Sequence, residues 1–69
     1  MTKSRLLEFA AETDQLLGIG SVESIKLIPN VYFQFKMSSL EKAEKLEELW
    51  NKAFTRLKVV REGNLVIAH

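Results

Sequence analysis

Residues 25–37 read Ile-Lys-Leu-Ile-Pro-Asn-Val-Tyr-Phe-Gln-Phe-Lys-Met, and the rest of the chain is arranged around this stretch. Apolar residues recur at its odd-numbered positions from Ile25 to Met37, while most even-numbered positions carry Lys, Asn or Gln. Successive side chains of a strand point to opposite faces of a sheet, so this alternation predicts a β-strand. One of its faces should lie against a core and the other against water.

Pro29 interrupts the stretch and leaves two interpretations open. Proline has no backbone N–H and cannot donate in the middle of a central strand. The stretch is therefore either one long strand with an irregularity at Pro29, or a hairpin that turns at Pro29-Asn30. The alternation continues through Pro29 without a change of phase, and on that ground we favour the single strand.

The first helix-like segment begins near Thr2 or Ser4, whose hydroxyl groups can accept a bond from an unpaired backbone N–H of the first turn. Apolar residues then recur at three- and four-residue intervals, which predicts a helix with one side against a core. Gly18 tolerates the left-handed conformation of a helix C-cap, so we expect the helix to end at Leu17.

The second helix-like segment starts with Ser38-Ser39-Leu40-Glu41, the pattern of a capping box between Ser38 and Glu41. An apolar stripe from Leu40 to Leu57 follows. On the charged side, two glutamates precede lysines by four residues, a spacing that stabilises a helix by about 0.2–0.5 kcal/mol per pair. These pairs are Glu41 with Lys45 and Glu48 with Lys52.

Two short apolar runs come last. Residues 57–61 read Leu-Lys-Val-Val-Arg, and their β-branched content favours a strand. Glu62-Gly63-Asn64 is a turn signal, and residues 65–68 form the second apolar run. The sequence therefore predicts a C-terminal β-hairpin.

These elements predict one small α+β domain over residues 1–69. The expected order is α-β-α-β-β, or α-ββ-α-ββ if the long strand splits into a hairpin. Each helix has one apolar stripe, so we expect two layers, with both helices on one face of an antiparallel or mixed sheet. If the long strand and residues 57–61 are parallel neighbours, their crossover should be right-handed. The predicted core is Leu6, Phe9, Leu16, Leu27, Val31, Phe33, Phe35, Leu46, Leu49, Trp50, Phe54, Val59 and Ile67.

Composition argues against several functional classes. Ten basic and nine acidic residues give a formal net charge of +1, so no overall field attracts nucleic acid or anionic lipid. The absence of cysteine excludes disulfides, thiolate metal sites and thiol catalysis. No N-terminal run has signal-peptide composition, and no apolar run approaches the roughly 18–20 residues that span a bilayer. We therefore expect a cytoplasmic protein with no membrane contact.

No arrangement of side chains predicts catalysis. Glu12 and Asp14 are two residues apart on a helix, which puts them about 200° apart around its axis. His69 is the only histidine, and it is the last residue, where fraying is usual, so the serines have no base beside them. We expect a protein that is not an enzyme and that has no catalytic residues, metal ligands or cofactor.

The wettable face of the predicted sheet carries the functional signal. An aromatic ring beside basic side chains is how proteins bind single-stranded nucleic acid. Apolar residues on the same side indicate protein contact instead, and here Val60 and Val66 are expected to join the strand residues. The candidate partner or nucleic-acid surface is Lys26, Ile28, Tyr32, Gln34, Lys36 and Lys58.

Two hypotheses follow. The first is a non-catalytic protein–protein interaction module that forms a homodimer through its sheet and binds a protein partner. The second is binding of single-stranded nucleic acid through the open face of the sheet. The balanced charge favours the first, because a dedicated nucleic-acid domain is usually more basic.

Overall fold

The computed structural model describes residues 2–28 and 32–69, except for the side chains of Ile28 and Tyr32. Within these residues the chain forms two helices and four strands in the order α-ββ-α-ββ. The elements are α1 (Lys3–Leu17), β1 (Val22–Ile28), β2 (Tyr32–Met37), α2 (Leu40–Ala53), β3 (Val59–Glu62) and β4 (Leu65–Ala68).

The four strands form one sheet in the order β1-β2-β4-β3, and every neighbouring pair is antiparallel. β2 and β4 lie in the middle, while β1 and β3 are the edges. Both helices pack on the same face of the sheet, where residues of α1 and α2 share one core with β2 and β4. A right-handed crossover was expected only if the long strand and residues 57–61 were parallel neighbours. They are not neighbours, because β2 lies beside β4 rather than β3.

The predicted order α-β-α-β-β is wrong, because residues 25–37 form two strands rather than one. β1 pairs with β2 antiparallel, with Ile25 opposite Phe35 and Leu27 opposite Phe33. Each pair joins two odd-numbered residues, so a hairpin of this register keeps the alternation in phase just as a single strand does. The unbroken phase therefore did not distinguish the two interpretations. The expected turn at Pro29-Asn30 lies outside the described residues.

The predicted C-terminal hairpin is confirmed, with its first strand at Val59–Glu62 instead of residues 57–61. Glu62 lies opposite Leu65, which leaves the two-residue loop Gly63-Asn64. Gly63 has φ 58°, and a positive φ at the first loop residue is what the turns of tight hairpins need. This short loop pairs odd-numbered residues of β3 with even-numbered residues of β4.

An aromatic cluster joins the helices to the sheet. The rings of Phe9 on α1 and Trp50 on α2 stack with centroids 5.8 Å apart. Phe35 on β2 meets the indole almost perpendicularly, at 5.0 Å and 74°. Aromatic pairs in these arrangements contribute about 0.5–1.5 kcal/mol beyond the area they bury. The buried apolar residues are Leu6, Phe33, Phe35, Met37, Ala43, Leu46, Trp50, Val66 and Ala68.

Most of the predicted core is confirmed. Five predicted residues are fully or nearly fully buried, namely Leu6, Phe33, Phe35, Leu46 and Trp50. Four more are partly buried against them, namely Phe9, Leu27, Phe54 and Val59. Val31 lies outside the described residues.

Three core predictions are wrong. Leu16 is 75% exposed and Leu49 is 40% exposed, because the apolar stripes of the two helices are wider than the surface that the sheet can cover. Ile67 lies on the face away from the helices, since β4 buries its even-numbered residues, Val66 and Ala68.

The helix boundaries follow local hydrogen bonds. Thr2 caps α1 by accepting a bond from the backbone N–H of Arg5, and the predicted end at Leu17 is confirmed. The capping box at Ser38 is wrong, because Ser39 caps α2 and accepts from the N–H of Lys42. The position three residues after Ser39 is thus a lysine, which has no acceptor for the return bond. The predicted i,i+4 ion pairs are present, Glu41 with Lys45 and Glu48 with Lys52.

The exposure difference between two leucines of α1 gives a stability prediction. Leu6→Ala leaves a cavity in the core, so the free energy of unfolding should fall by about 2–5 kcal/mol. Leu16→Ala removes a mostly exposed side chain, so it should change the free energy by no more than about 0.5 kcal/mol. Urea denaturation of both variants measures this difference, and a loss above about 2 kcal/mol for Leu16→Ala would contradict the packing described.

Candidate functional site

The face of the sheet away from the helices is covered by none of the described elements, and we call it the open face. Strand register sets two rows of side chains across it. The first row is Ser24, Lys36, Leu65 and Glu62, and the second is Lys26, Gln34, Ile67 and Val60. Lys58 and His69 continue the pairing of β3 with β4, since each backbone N–H donates to the other's carbonyl at 2.7 and 2.9 Å.

The structure brings part of the predicted surface together. Lys26, Gln34 and Lys36 occupy neighbouring positions on β1 and β2. Lys58 precedes β3 on the opposite edge of the sheet, so β2 and β4 separate it from Lys26. Ile28 and Tyr32 face each other in backbone register, and their side chains lie outside the described residues.

The centre of the open face is apolar. Val60, Leu65 and Ile67 lie side by side there, and each is half-buried. The predicted contribution of Val66 is wrong, because Val66 is fully buried beneath the helices. The predicted core included Ile67, and Leu65 was assigned to neither face. The signal that locates them is the two-residue loop, which shifts the phase by one residue.

Charges of both signs flank this apolar centre. Lys36 Nζ lies 3.8 Å from Glu23 Oε2, beside an irregularity in β1 where the register shifts between Val22 and Ser24. Both side chains are about half exposed, at 55% and 48%, so the ion pair contributes little stability. Glu62 forms no ion pair with any residue in ranges 2–28 and 32–69. Leu65 thus has a lysine on one side, on β2, and a glutamate on the other, on β3.

A groove between α1 and α2 is a second candidate surface. Its volume is about 280 Å³. The Thr13 hydroxyl in its wall already donates to the Phe9 carbonyl at 2.9 Å. The Trp50 Nε1 is buried without an acceptor among the described residues, and the rings of Phe33 and Phe35 stand steeply against its indole. The lining residues are Phe9, Thr13, Leu16, Leu49, Trp50, Ala53 and Phe54.

Ser21 and Lys42 form a contact that sequence reasoning missed. Lys42 Nζ donates to Ser21 Oγ at 3.0 Å and to the carbonyl oxygen of Leu17 at the end of α1. A serine beside a lysine is an arrangement that some hydrolases use for nucleophilic attack. Here the Ser21 hydroxyl donates its hydrogen to the Gly18 carbonyl, and the side chain is 1% exposed. The contact therefore joins the last turn of α1 to the first turn of α2.

Gly18 makes room for this contact. Its φ is 112°, a value that side-chain-bearing residues rarely adopt, and a Cβ at this position would lie 2.9 Å from Lys42 Nζ. Nearby, Asp14 Oδ1 accepts a bond from the backbone N–H of Val22 at 2.9 Å, at the start of β1. Polar contacts thus hold the turn between α1 and β1 in place.

Removing the Lys42 amine should show the strength of this connection. Lys42→Met keeps the length of the side chain but leaves the Leu17 carbonyl without its charged donor, so the free energy of unfolding should fall by about 1.5–3 kcal/mol. Lys45→Met is the matched control, because it removes only an exposed ion pair worth about 0.5 kcal/mol or less. Chemical denaturation compares the two, and equal losses would mean that the Lys42 contacts add nothing.

Among residues 2–28 and 32–69 there is no group of three or more His, Asp or Glu side chains that could hold a metal ion. None of the helices described is both long and apolar enough to cross a bilayer. Comparison of the chain with protein-family models, curated proteins and solved structures finds no match.

Proposed function

We propose that the protein is a small, non-catalytic protein-binding module that associates with a second copy of itself through the open face. The observation that carries this proposal is the composition of β4, which reads Leu65-Val66-Ile67-Ala68. An unbroken apolar run is typical of a strand that is buried on both faces. Val66 and Ala68 are buried beneath the helices, whereas Leu65 and Ile67 face the open side. A second sheet packed on the open face would bury them as well.

The size of the chain supports the same proposal. A domain of about 60 residues buries only about 60% of the surface that its unfolded chain exposes. Association through an apolar patch adds burial that the single copy lacks, and it stabilises the fold by mass action. An uncovered sheet face also suits a symmetric contact, in which the same surface of both copies takes part.

The groove between α1 and α2 then remains open on the far side of each copy. Leu16 and Leu49 stand at this groove with much of their side chains exposed. Its lining is mostly apolar, which suits the apolar face of an amphipathic helix from another protein. We therefore assign the groove to the protein partner and the open face to self-association.

Nucleic-acid binding is the second candidate, because Lys26, Lys36 and Lys58 all belong to the open face. Two observations count against it. Glu23 and Glu62 lie near these lysines and reduce the positive charge of the face. The five aromatic side chains that the structure describes are all in the core or packed against it, so none of them is available for stacking on bases.

Solution mass tests self-association. Light scattering after size-exclusion chromatography, at micromolar and at near-millimolar protein, should give twice the mass of one chain. Ile67→Lys should give the mass of a single chain, because it would bury an unpaired charge in the contact. Val60→Lys serves the same purpose if Ile67→Lys does not fold, and circular dichroism checks the fold of each.

The matched control is Leu16→Lys, the same kind of substitution at an exposed leucine on the helical side. This variant should keep the mass of the wild type. A single-chain mass for the wild type at both concentrations would contradict the proposal, and so would a dimer that folded Ile67→Lys leaves intact.

A salt titration tests the second candidate. Fluorescence anisotropy of a labelled single-stranded oligonucleotide should show no binding to the wild type at low salt, because the open face carries charges of both signs. Binding that weakens as salt rises, and that Lys26→Ala and Lys58→Ala both reduce, would instead favour nucleic-acid recognition.

A further inference from the structure

We infer that two copies pack open face to open face about a two-fold axis that runs along β4, so that Lys36 of each copy meets Glu62 of the other. This inference rests on the proposed self-association and specifies its geometry. The second copy is thereby identified by charge complementarity at named positions.

The first row of the open face determines which residues meet. Lys36, Leu65 and Glu62 occupy adjacent positions on β2, β4 and β3. Neighbouring strands are about 4.8 Å apart, so the lysine and the glutamate lie equally far from β4 on opposite sides. Rotation by 180° about an axis along β4 exchanges these two sides. Lys36 of one copy then lies over Glu62 of the other, and the same contact occurs twice.

The second row is compatible with the same axis. Ile67 is on β4 and therefore meets Ile67 of the second copy, as Leu65 meets Leu65. Gln34 on β2 lies over Val60 of the second copy, where its amide sits at the rim of the apolar centre. Sheets that pack face to face lie about 10 Å apart, so apolar side chains from the two copies fill the space between them.

Lys26 is on the edge strand β1, two strands away from β4. Under this axis it extends past β3 of the second copy, so it opposes no lysine. A two-fold axis that crosses the strands along the second row would instead place Lys26 against Lys26 of the other copy. Like charges that face each other across an interface oppose association, so the axis along β4 is the better solution.

The ion pair between Lys36 and Glu23 does not prevent the contact. It is 3.8 Å long and about half exposed on both sides, so Lys36 can turn toward the second copy at little cost. Glu62 has no competing ion pair within the part of the chain that the structure describes. The proposed contact thus pairs an acid that has no ion-pair partner among the described residues of the single copy.

A charge exchange tests the inference. Lys36→Glu places two acids together in each contact, and Glu62→Lys places two lysines together. Each single variant should raise the dimer dissociation constant, measured by sedimentation equilibrium, by about tenfold or more. The double variant restores opposite charges and should return within about threefold of the wild type at 0.15 M salt, where distant charges are screened. Lys26→Glu is the matched control, and it should shift the constant by less than about threefold.

Crosslinking gives an independent readout. Because the natural chain has no cysteine, only the introduced thiol can react with the reagent. Facing backbones at about 10 Å are too far apart for a disulfide, so a short bismaleimide is the suitable reagent. The L65C variant places its thiol on the axis and should give a crosslinked dimer. The K26C variant should remain uncrosslinked at the same protein concentration.

The outcomes separate this inference from the proposed function. A wild type that stays monomeric overturns both. A wild-type dimer whose double charge variant is no tighter than the single variants overturns the axis but leaves self-association intact. Efficient crosslinking of K26C together with none of L65C also overturns the axis, and it would indicate the alternative axis across the strands.

Discussion

The number of residues in a hairpin loop decides which face of the sheet the following strand shows to the core, and the rest of this structure depends on that constraint. In the first hairpin, Leu27 pairs with Phe33, so odd-numbered residues stay with odd-numbered residues and share the helical face. In the second hairpin, Val59 pairs with Ala68, so odd-numbered residues of β3 face even-numbered residues of β4. The two-residue loop at Gly63 thereby sends Val66 and Ala68 under the helices and leaves Leu65 and Ile67 on the open face.

Local patterns in the sequence located both helices and the C-terminal hairpin to within a few residues, but the favoured interpretation merged β1 and β2 into one strand. The end of α1 at Leu17, the charged pairs of α2 and the C-terminal hairpin could all be predicted, because each depends on residues near one another in the chain. Sheet order depends on which strands meet in space. The contact between Lys42 and Ser21 was unpredictable for the same reason, since 21 residues separate its partners.

Of the candidate site, the alternation in β2 sufficed to place Gln34 and Lys36 together on one face. The apolar centre was predicted only in part, because its composition follows from the phase of β4 and not from hydrophobicity. Leu16 and Leu49 show the opposite error, because they were predicted to be in the core and are exposed. Periodicity marks the apolar side of a helix, but it does not tell how much of that side a four-stranded sheet can cover. Both leucines border a groove instead of entering the core.

Apolar residues are therefore distributed over three places in this small domain: one shared core, the groove between the helices and the centre of the open face. Among the described residues, a single copy fully buries only the side chains of the shared core. In a dimer that is symmetric about β4, the central strands are buried on both sides, so the layers become helix, sheet, sheet, helix. Such an arrangement accounts for an unbroken apolar run in β4 between two strands that carry polar or charged residues. It also leaves the two helical grooves on opposite outer surfaces, where each can take a partner segment independently of the other.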